Sequence, residues 1–210
     1  MKNKDIFTFR DAEKQAGPVA FSTMLKPAGS ACNLDCHYCY YLDKAVQYGG
    51  RQAVMSDELL ELYVRQYIEA NDVDTVQFCW HGGEPLLLGV DFYRRAMDFQ
   101  QKYADGKRIE NTLQTNGTLV DEAWCDLFAG NNFLVGISLD GPQDIHDAFR
   151  LTKGGRPTFE RVMQTIGMFQ RSGVEYNTLS VVNRLCEGRG GEIYRFFRDT
   201  VHSRYMQFLP

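Results

Sequence analysis

No stretch of the chain approaches the run of roughly 18 uncharged apolar residues that crosses a bilayer as a helix. Residues 1–15 mix charges and lack the apolar segment of a secretory leader. Blocks of Lys and Arg are missing as well. With a formal charge of −4, nothing electrostatic asks for nucleic acid as a partner. Internal repeats, low-complexity tracts and long linkers are also absent. These absences together predict a soluble cytoplasmic protein with neither membrane nor nucleic acid among its partners. What is present is ordinary for a globular chain. Its 210 residues, 44% hydrophobic and 24% charged, suffice for one large domain around a continuous core.

Cysteine is unevenly spread. Three of the six fall within eight residues, at Cys32, Cys36 and Cys39, while Cys79, Cys125 and Cys186 stand alone. A reducing compartment disfavours disulfides. Clustered thiols then point to metal, and isolated ones to small buried hydrophobes.

Along the chain, β-rich runs alternate with amphipathic stretches. Strands are predicted over 21–26, 75–80, 109–115, 133–139, 175–182 and 205–209. Helices are predicted over 57–70, 92–103, 121–128, 158–171 and 191–199, with Gly106, Gly130 and Gly173 near helix ends. In the first helix, Ser56 is the expected N-cap, and Leu59, Leu62, Tyr63 and Gln66 or Tyr67 follow the helical period. Such alternation means a parallel sheet of right-handed βαβ units, either doubly wound or barrel-like. Unusual residues gather at strand ends, and in a barrel all those ends meet at one mouth. The expected fold is therefore α/β, a partial TIM-type (β/α)6 barrel with outer helices. Residues 1–19 read as an N-terminal extension and 20–210 as the domain.

The strongest chemical signal is Cys32-Asn33-Leu34-Asp35-Cys36-His37-Tyr38-Cys39. Three thiolates so close can face one point, as an iron–sulfur cluster requires. A structural zinc site wants four ligands, and His37, lying between two cysteines, is awkwardly placed to be the fourth. With three ligands a cubane keeps one iron open to a small amine-carboxylate chelator. Downstream, Gly82-Gly83-Glu84-Pro85 follows a strand: glycines admit close backbone approach, and Glu84 offers an acceptor for an ammonium. Thr115 and Asn116 close the third strand, and Ser138 and Asp140 the fourth, where turn formation is an equal reading for Asn116 and Asp140. Val182 and Asn183 face the same mouth if the register holds. His146, Asp147 and Arg150 are open to a place at the border of the active site, with a solvated loop after strand four as the simpler account.

The Cx3Cx2C loop, with an aromatic before its last cysteine and Gly-Gly-Glu downstream, resembles the radical SAM superfamily. The resemblance implies that Cys32, Cys36 and Cys39 hold a 4Fe-4S cluster whose open iron binds S-adenosylmethionine. Reduction then cleaves the sulfonium to a 5′-deoxyadenosyl radical. It also implies that Tyr38 packs on the adenine and that Gly82, Gly83 and Glu84 bind the SAM amine. Ser138, and with it Asp140, would approach the ribose or carboxylate, and Leu209 the adenine.

Beyond these motifs, the segments from Phe21 to Pro27, Cys39-Tyr40-Tyr41-Leu42-Asp43, Trp80 to Pro85, Leu113 to Gly117 and Ile137 to Pro142 resemble anaerobic sulfatase-maturating enzymes. That family oxidises a Cys or Ser within a Cys/Ser-x-Pro/Ala-x-Arg motif of a sulfatase to Cα-formylglycine. Tyr41 and His81 would lie beside the target, and a reduced flavodoxin- or ferredoxin-type protein would supply electrons. The family continues into a cysteine-rich C-terminal half with two further clusters, which this chain lacks, so a fragment or a truncated product is expected. Other readings are a thioether- or quinone-forming peptide maturase of the same extended family, and a non-catalytic iron–sulfur or zinc redox module.

Overall fold

The computed structural model describes Arg10, residues 20–41 and residues 54–210. The proposed extension, apart from Arg10, and the Leu42 and Asp43 of the family match lie outside the described residues. Six strands form one parallel sheet in chain order: β1 (Met24–Leu25), β2 (Thr75–Trp80), β3 (Arg108–Thr115), β4 (Leu134–Ser138), β5 (Glu175–Val181) and β6 (Met206–Leu209). No pairing joins β6 to β1 among the described residues, so the barrel stays open. Helices fill the crossovers: α1 (Asp57–Ala70), α2 (Val90–Tyr103), α3 (Glu122–Gly130), α4 (Gln143–Asp147), α5 (Phe159–Ser172) and α6 (Gly190–Arg195). Short 3₁₀ turns at Pro85–Leu88 and Arg184–Cys186 and the brief α4 are too short to leave a periodic trace in sequence.

Helix α1 begins where expected. The Ser56 hydroxyl accepts from Leu59 N, with Asp57 and Glu58 in the first turn. Its phase, however, differs from the expected one. Leu59 and Leu62 face solvent, while Leu60, Val64, Tyr67 and Ile68 are buried. The outer leucines keep a helical spacing of their own, and only packing against α2 and the sheet decides which stripe turns inward. The helix stops at Asn71, whose side chain donates to Tyr67 O at 2.9 Å, while Lys107 Nζ reaches Ile68 O at 2.8 Å.

Strand β1 is shorter than predicted because the residues before it bond elsewhere. Phe21 N donates to Asn71 Oδ1, Tyr67 OH donates to Phe21 O, and Thr23 Oγ1 pairs with Tyr63 OH. Those groups belong to α1 or its cap, so only Met24 and Leu25 join the ladder, opposite Cys79 and Trp80.

Alternation along β2 buries Val76, Phe78 and Trp80 against the helices. Leu113, Val135, Ile137 and Leu139 continue that core across the sheet. One polar island sits inside it. Asn111 accepts from the Trp80 indole (2.8 Å) and from Gln100 Nε2 (2.9 Å), and returns a bond to Gln100 Oε1 (2.8 Å). Every member is thereby satisfied. On the opposite, concave face the Gln114 and Asn177 amides close over Gly136, where a methyl group would overlap Gln114 Oε1.

Candidate functional site

The turn after β2 is bound to the entrance of the cysteine loop. His81 N donates to Leu25 O (2.8 Å), Gly83 N to Gly29 O (3.0 Å) and Glu84 N to Ala31 O (2.7 Å). A Cβ at Gly83 would overlap Ala31 O and lie 2.6 Å from Ser30 O, and Gly82 has φ +130°. Glycine is required at both positions, as the sequence indicates, and what approaches closely is the chain's own loop. Glu84 is completely enclosed. Its Oε1 accepts from Thr115 Oγ1 (2.7 Å) and Leu86 N (3.1 Å), and its Oε2 from Asn116 N (2.8 Å). Burial pushes its acid up to about 7 against the pull of those three donors. The carboxylate thus straps the turn to the end of β3, and its acceptors are already engaged.

Asn116, buried at the end of β3, is both a turn residue and a contact of the cysteine loop. Its Oδ1 accepts from Thr118 N and Oγ1, as in an Asx turn. Its Nδ2 donates to Asn33 Oδ1 at 2.9 Å and approaches Cys32 Sγ at 3.8 Å. Asn33 Nδ2 bonds Thr118 Oγ1 in turn, and Leu34 N lies 3.4 Å from Cys32 Sγ. Ser138, nearly buried at the end of β4, accepts from Gln114 Nε2 at 3.0 Å, which leaves its hydroxyl proton available as a donor.

The segment after β4 is not the solvated loop expected from sequence. His146 is fully buried, Arg150 is 7% exposed, and Asp147 Oδ1 accepts from Thr158 N and Phe159 N, capping α5. Apolar neighbours draw the segment inward: Ile145 joins the core, and Phe149 meets Tyr38 and His37. Asp140 Oδ1 accepts from Arg150 NH2 (3.1 Å) and Val181 N (3.0 Å). Its Oδ2 accepts from Tyr38 OH and lies 3.1 Å from Arg150 Nε. Thr158 Oγ1 donates to Arg150 O, so His146 donates through Nε2 to Thr158 and accepts from Asp140 N at Nδ1. Burial and the nearby Arg150 hold His146 down at about 4, neutral under ordinary conditions.

Of the other expected residues, Tyr41 is buried with Lys26 Nζ 5.2 Å from its ring centre and the Tyr40 ring tilted against it at 4.3 Å. His81 is half-buried. Its Nδ1 accepts from Gly82 N at 2.7 Å, and burial with Lys26 lowers its pKa. Leu209 accepts from Val182 N through its backbone while its side chain stays exposed. Val182 is exposed, and Asn183 Oδ1 accepts from Leu185 N, a local turn role. Cys79, Cys125 and Cys186 sit on β2, α3 and the turn after β5, and only Cys125 is buried.

All six cysteines are free thiols, with Cys36 buried and Cys32 and Cys39 half-buried. No three His, Cys, Asp or Glu side chains among the described residues gather as one metal ion requires. A cubane gives each cysteine a separate iron, so its sulfurs border a shared volume instead of converging on one atom. The loop fits that demand: Cys32, Cys36 and Cys39 lie near enough for their charges to oppose one another, Cys36 lies in the turn closed by Cys39 N on Cys36 O (2.9 Å), and Cys32 is within reach of two N–H donors. Burial raises the Cys32 thiol and pushes Cys36 up to about 11, with Arg150 opposing the latter. Both therefore hold their protons at neutral pH, and a metal ligated by them would have to displace those protons.

The family model described as "Radical SAM superfamily" matches residues 27–186. The serine-type anaerobic sulfatase-maturating enzyme of Bacteroides thetaiotaomicron is 47% identical over 188 residues, 89% of this chain and 45% of that protein. The cysteine-type anaerobic sulfatase-maturating enzyme of Clostridium novyi is 41% identical over 197 residues, 91% of this chain and 51% of that protein. Among solved structures, native anSMEcpe with bound AdoMet and the Cp18Cys peptide superposes with TM-score 0.82 at 36% identity, covering 90% of this chain and 50% of that one. The chain spans about half the length of the curated relatives it matches.

Proposed function

The chain belongs to the radical SAM superfamily, and from that premise we propose that it serves in the oxidation of a sulfatase Cys or Ser to Cα-formylglycine. Residues 20–210 would form the radical SAM domain, with Cys32, Cys36 and Cys39 holding a 4Fe-4S cluster. When bound, cluster and S-adenosylmethionine supply one-electron cleavage of the sulfonium and a 5′-deoxyadenosyl radical that takes hydrogen from the target Cβ. The observation that carries the reading is 47% identity to a maturase across almost the whole chain, including the strand-end segments that build the mouth.

Within that reading the chain's own residues divide the work. Glu84 holds the Gly82-Gly83 turn with its engaged carboxylate, so the ammonium of the methionine moiety falls to the turn's backbone carbonyls. Ser138, fixed as a donor by Gln114, faces the carboxylate or ribose. Asn116 and Thr115 secure the β3 end of the site, and Asp140 secures Tyr38. Tyr38 and Leu209 border the adenine, and Tyr41 and His81 flank the target side chain. His81 is neutral with its proton on Nε2, since Nδ1 already accepts from Gly82 N. A reduced flavodoxin- or ferredoxin-type protein would deliver electrons in the cytoplasm, where thiols stay reduced.

The test is anaerobic reconstitution, reduction, and incubation with SAM and a peptide carrying the Cys/Ser-x-Pro/Ala-x-Arg motif. The expected result is a peptide whose mass and hydrazide reactivity are those of an aldehyde, with 5′-deoxyadenosine released. A crosslinked peptide, or no change beside an active control, refutes the proposal.

A further inference from the structure

On the concave face of the sheet, one row is left open where a closed barrel would be filled. The interior layers of a full barrel are packed with branched apolar side chains. Here the row across β3, β4 and β5 is Gln114, Gly136 and Asn177, which stand opposite one another in the ladder. One residue past the last β2–β3 pair, Trp80 with Leu113, His81 falls level with Gln114. Ser138 lies two residues beyond Gly136 on the same strand face, about 7 Å nearer the mouth. The row is thus a floor beneath the place that the cofactor reading gives to Ser138.

The polar groups of this floor are not used up within the chain. Gln114 Nε2 donates to Ser138 Oγ at 3.0 Å, but among the described residues nothing donates to Gln114 Oε1. Asn177 Oδ1 is buried without a hydrogen-bond partner, and no described residue accepts from Asn177 Nδ2. A Cβ at Gly136 would lie 2.0 Å from Gln114 Oε1 and 3.1 Å from Asn177 Oδ1, so glycine is what lets both oxygens sit there. Two acceptors turned toward one place cannot satisfy each other, and a buried carbonyl oxygen left without a donor is costly. The missing donor comes from outside the chain. An Asn amide with both ends free matches the N–H and C=O of one residue in an extended peptide, which point to the same side of its backbone.

We propose that Asn177, together with the free oxygen of Gln114, grips the backbone of the target polypeptide. Asn177 Oδ1 accepts a peptide N–H, Nδ2 donates to the carbonyl of the same residue, and Gln114 Oε1 accepts a neighbouring donor. The inference rests on the peptide-substrate reading above and names the group that holds the peptide's backbone beneath the cofactor. Such a grip reads main chain and leaves the choice of side chain to the rim, where Tyr41 and His81 stand.

The test is binding, measured apart from turnover. With the reconstituted chain and SAM, a fluorescent peptide carrying the Cys/Ser-x-Pro/Ala-x-Arg motif should bind Asn177→Leu at least about ten-fold more weakly than wild type, with SAM affinity unchanged. In a peptide series, replacing one backbone amide at a time by an ester removes one N–H each. One member should bind wild type about ten-fold more weakly and show no further loss on Asn177→Leu. If Asn177→Leu does not fold, Asn177→Ser carries the same comparison. Unchanged peptide affinity in the variant, additive losses with every ester, or equal loss of SAM and peptide overturns the assignment. Aldehyde formation beside any of those results leaves the sulfatase reading standing without this floor. A peptide that binds through Asn177 and emerges crosslinked leaves the floor and removes the sulfatase reading. A wild type that binds no such peptide removes both.

Discussion

Replacing Glu84 with Gln tests the strap at the heart of the site. Burial holds the Glu84 acid at about 7, against an ordinary value of 4.5. Between those two values the folded chain keeps a proton that the unfolded chain has released. Glu84's contribution to stability is therefore fullest below about 4.5 and declines as pH rises through 7. The loss across that window is about 3 kcal/mol. His146 works in the opposite sense: held down at about 4 from 6.5, it makes the fold more stable as pH rises through that lower window. The wild-type pH curve alone therefore hides both. Subtraction isolates one. The measurement is urea unfolding of wild type and Glu84→Gln at a series of pH values from about 5 to about 9. Gln also turns an N–H₂ toward Asn116 N, a mismatch that adds a constant offset. Relative to the wild type, the variant should gain about 3 kcal/mol between the two ends of the series. A difference that stays flat with pH would refute the claim that the buried carboxylate is costly to ionise.

Three further outcomes follow from particular contacts. Asn111→Leu leaves the Trp80 indole N–H and the Gln100 amide without partners, so unfolding experiments should show a loss of about 2–4 kcal/mol, part of it recovered by adding Trp80→Phe. Gly83→Ala drives a methyl into the carbonyls of Ala31 and Ser30; it should cost about 2–4 kcal/mol and expose the cysteine loop to limited proteolysis, with a resistant loop as the contrary result. Alanine at Cys32, Cys36 or Cys39 should abolish iron and sulfide incorporation on reconstitution, whereas Cys125→Ala should keep full iron content and lose about 1 kcal/mol of stability. Normal iron content in any of the first three would remove that cysteine from the ligand set.

Strand ends and the helix cap at Ser56 were legible because they are local: alternation in β2 and a capping hydroxyl need only nearby residues. The phase of α1 was not, since Leu59 and Leu60 offer competing stripes and the neighbouring helix chooses between them. At the site, the cysteines and the two glycines could be read from residue type and spacing. The partners of Glu84 could not, because Thr115 and Asn116 lie some 30 residues away and meet it only across the ladder. Arg150 escaped for a related reason. A lone arginine in a loop resembles solvated surface, although its neighbours Ile145, Phe149 and Leu151 are apolar. An arginine so flanked, ten residues after the Asp at a strand end, is the signal that could have found it.

The cysteine loop takes its shape from places far along the chain: Gly29 and Ala31 from the turn at Gly83, Asn33 from Asn116 and Thr118, Tyr38 from Asp140 and Arg150. A nascent chain that has emerged only as far as the last cysteine has none of these braces. At that stage the three thiols sit on a slack tether. The loop's shape thus waits for the fourth strand and the segment behind it, so a group that binds the finished loop would draw stability from the whole sheet and return it there.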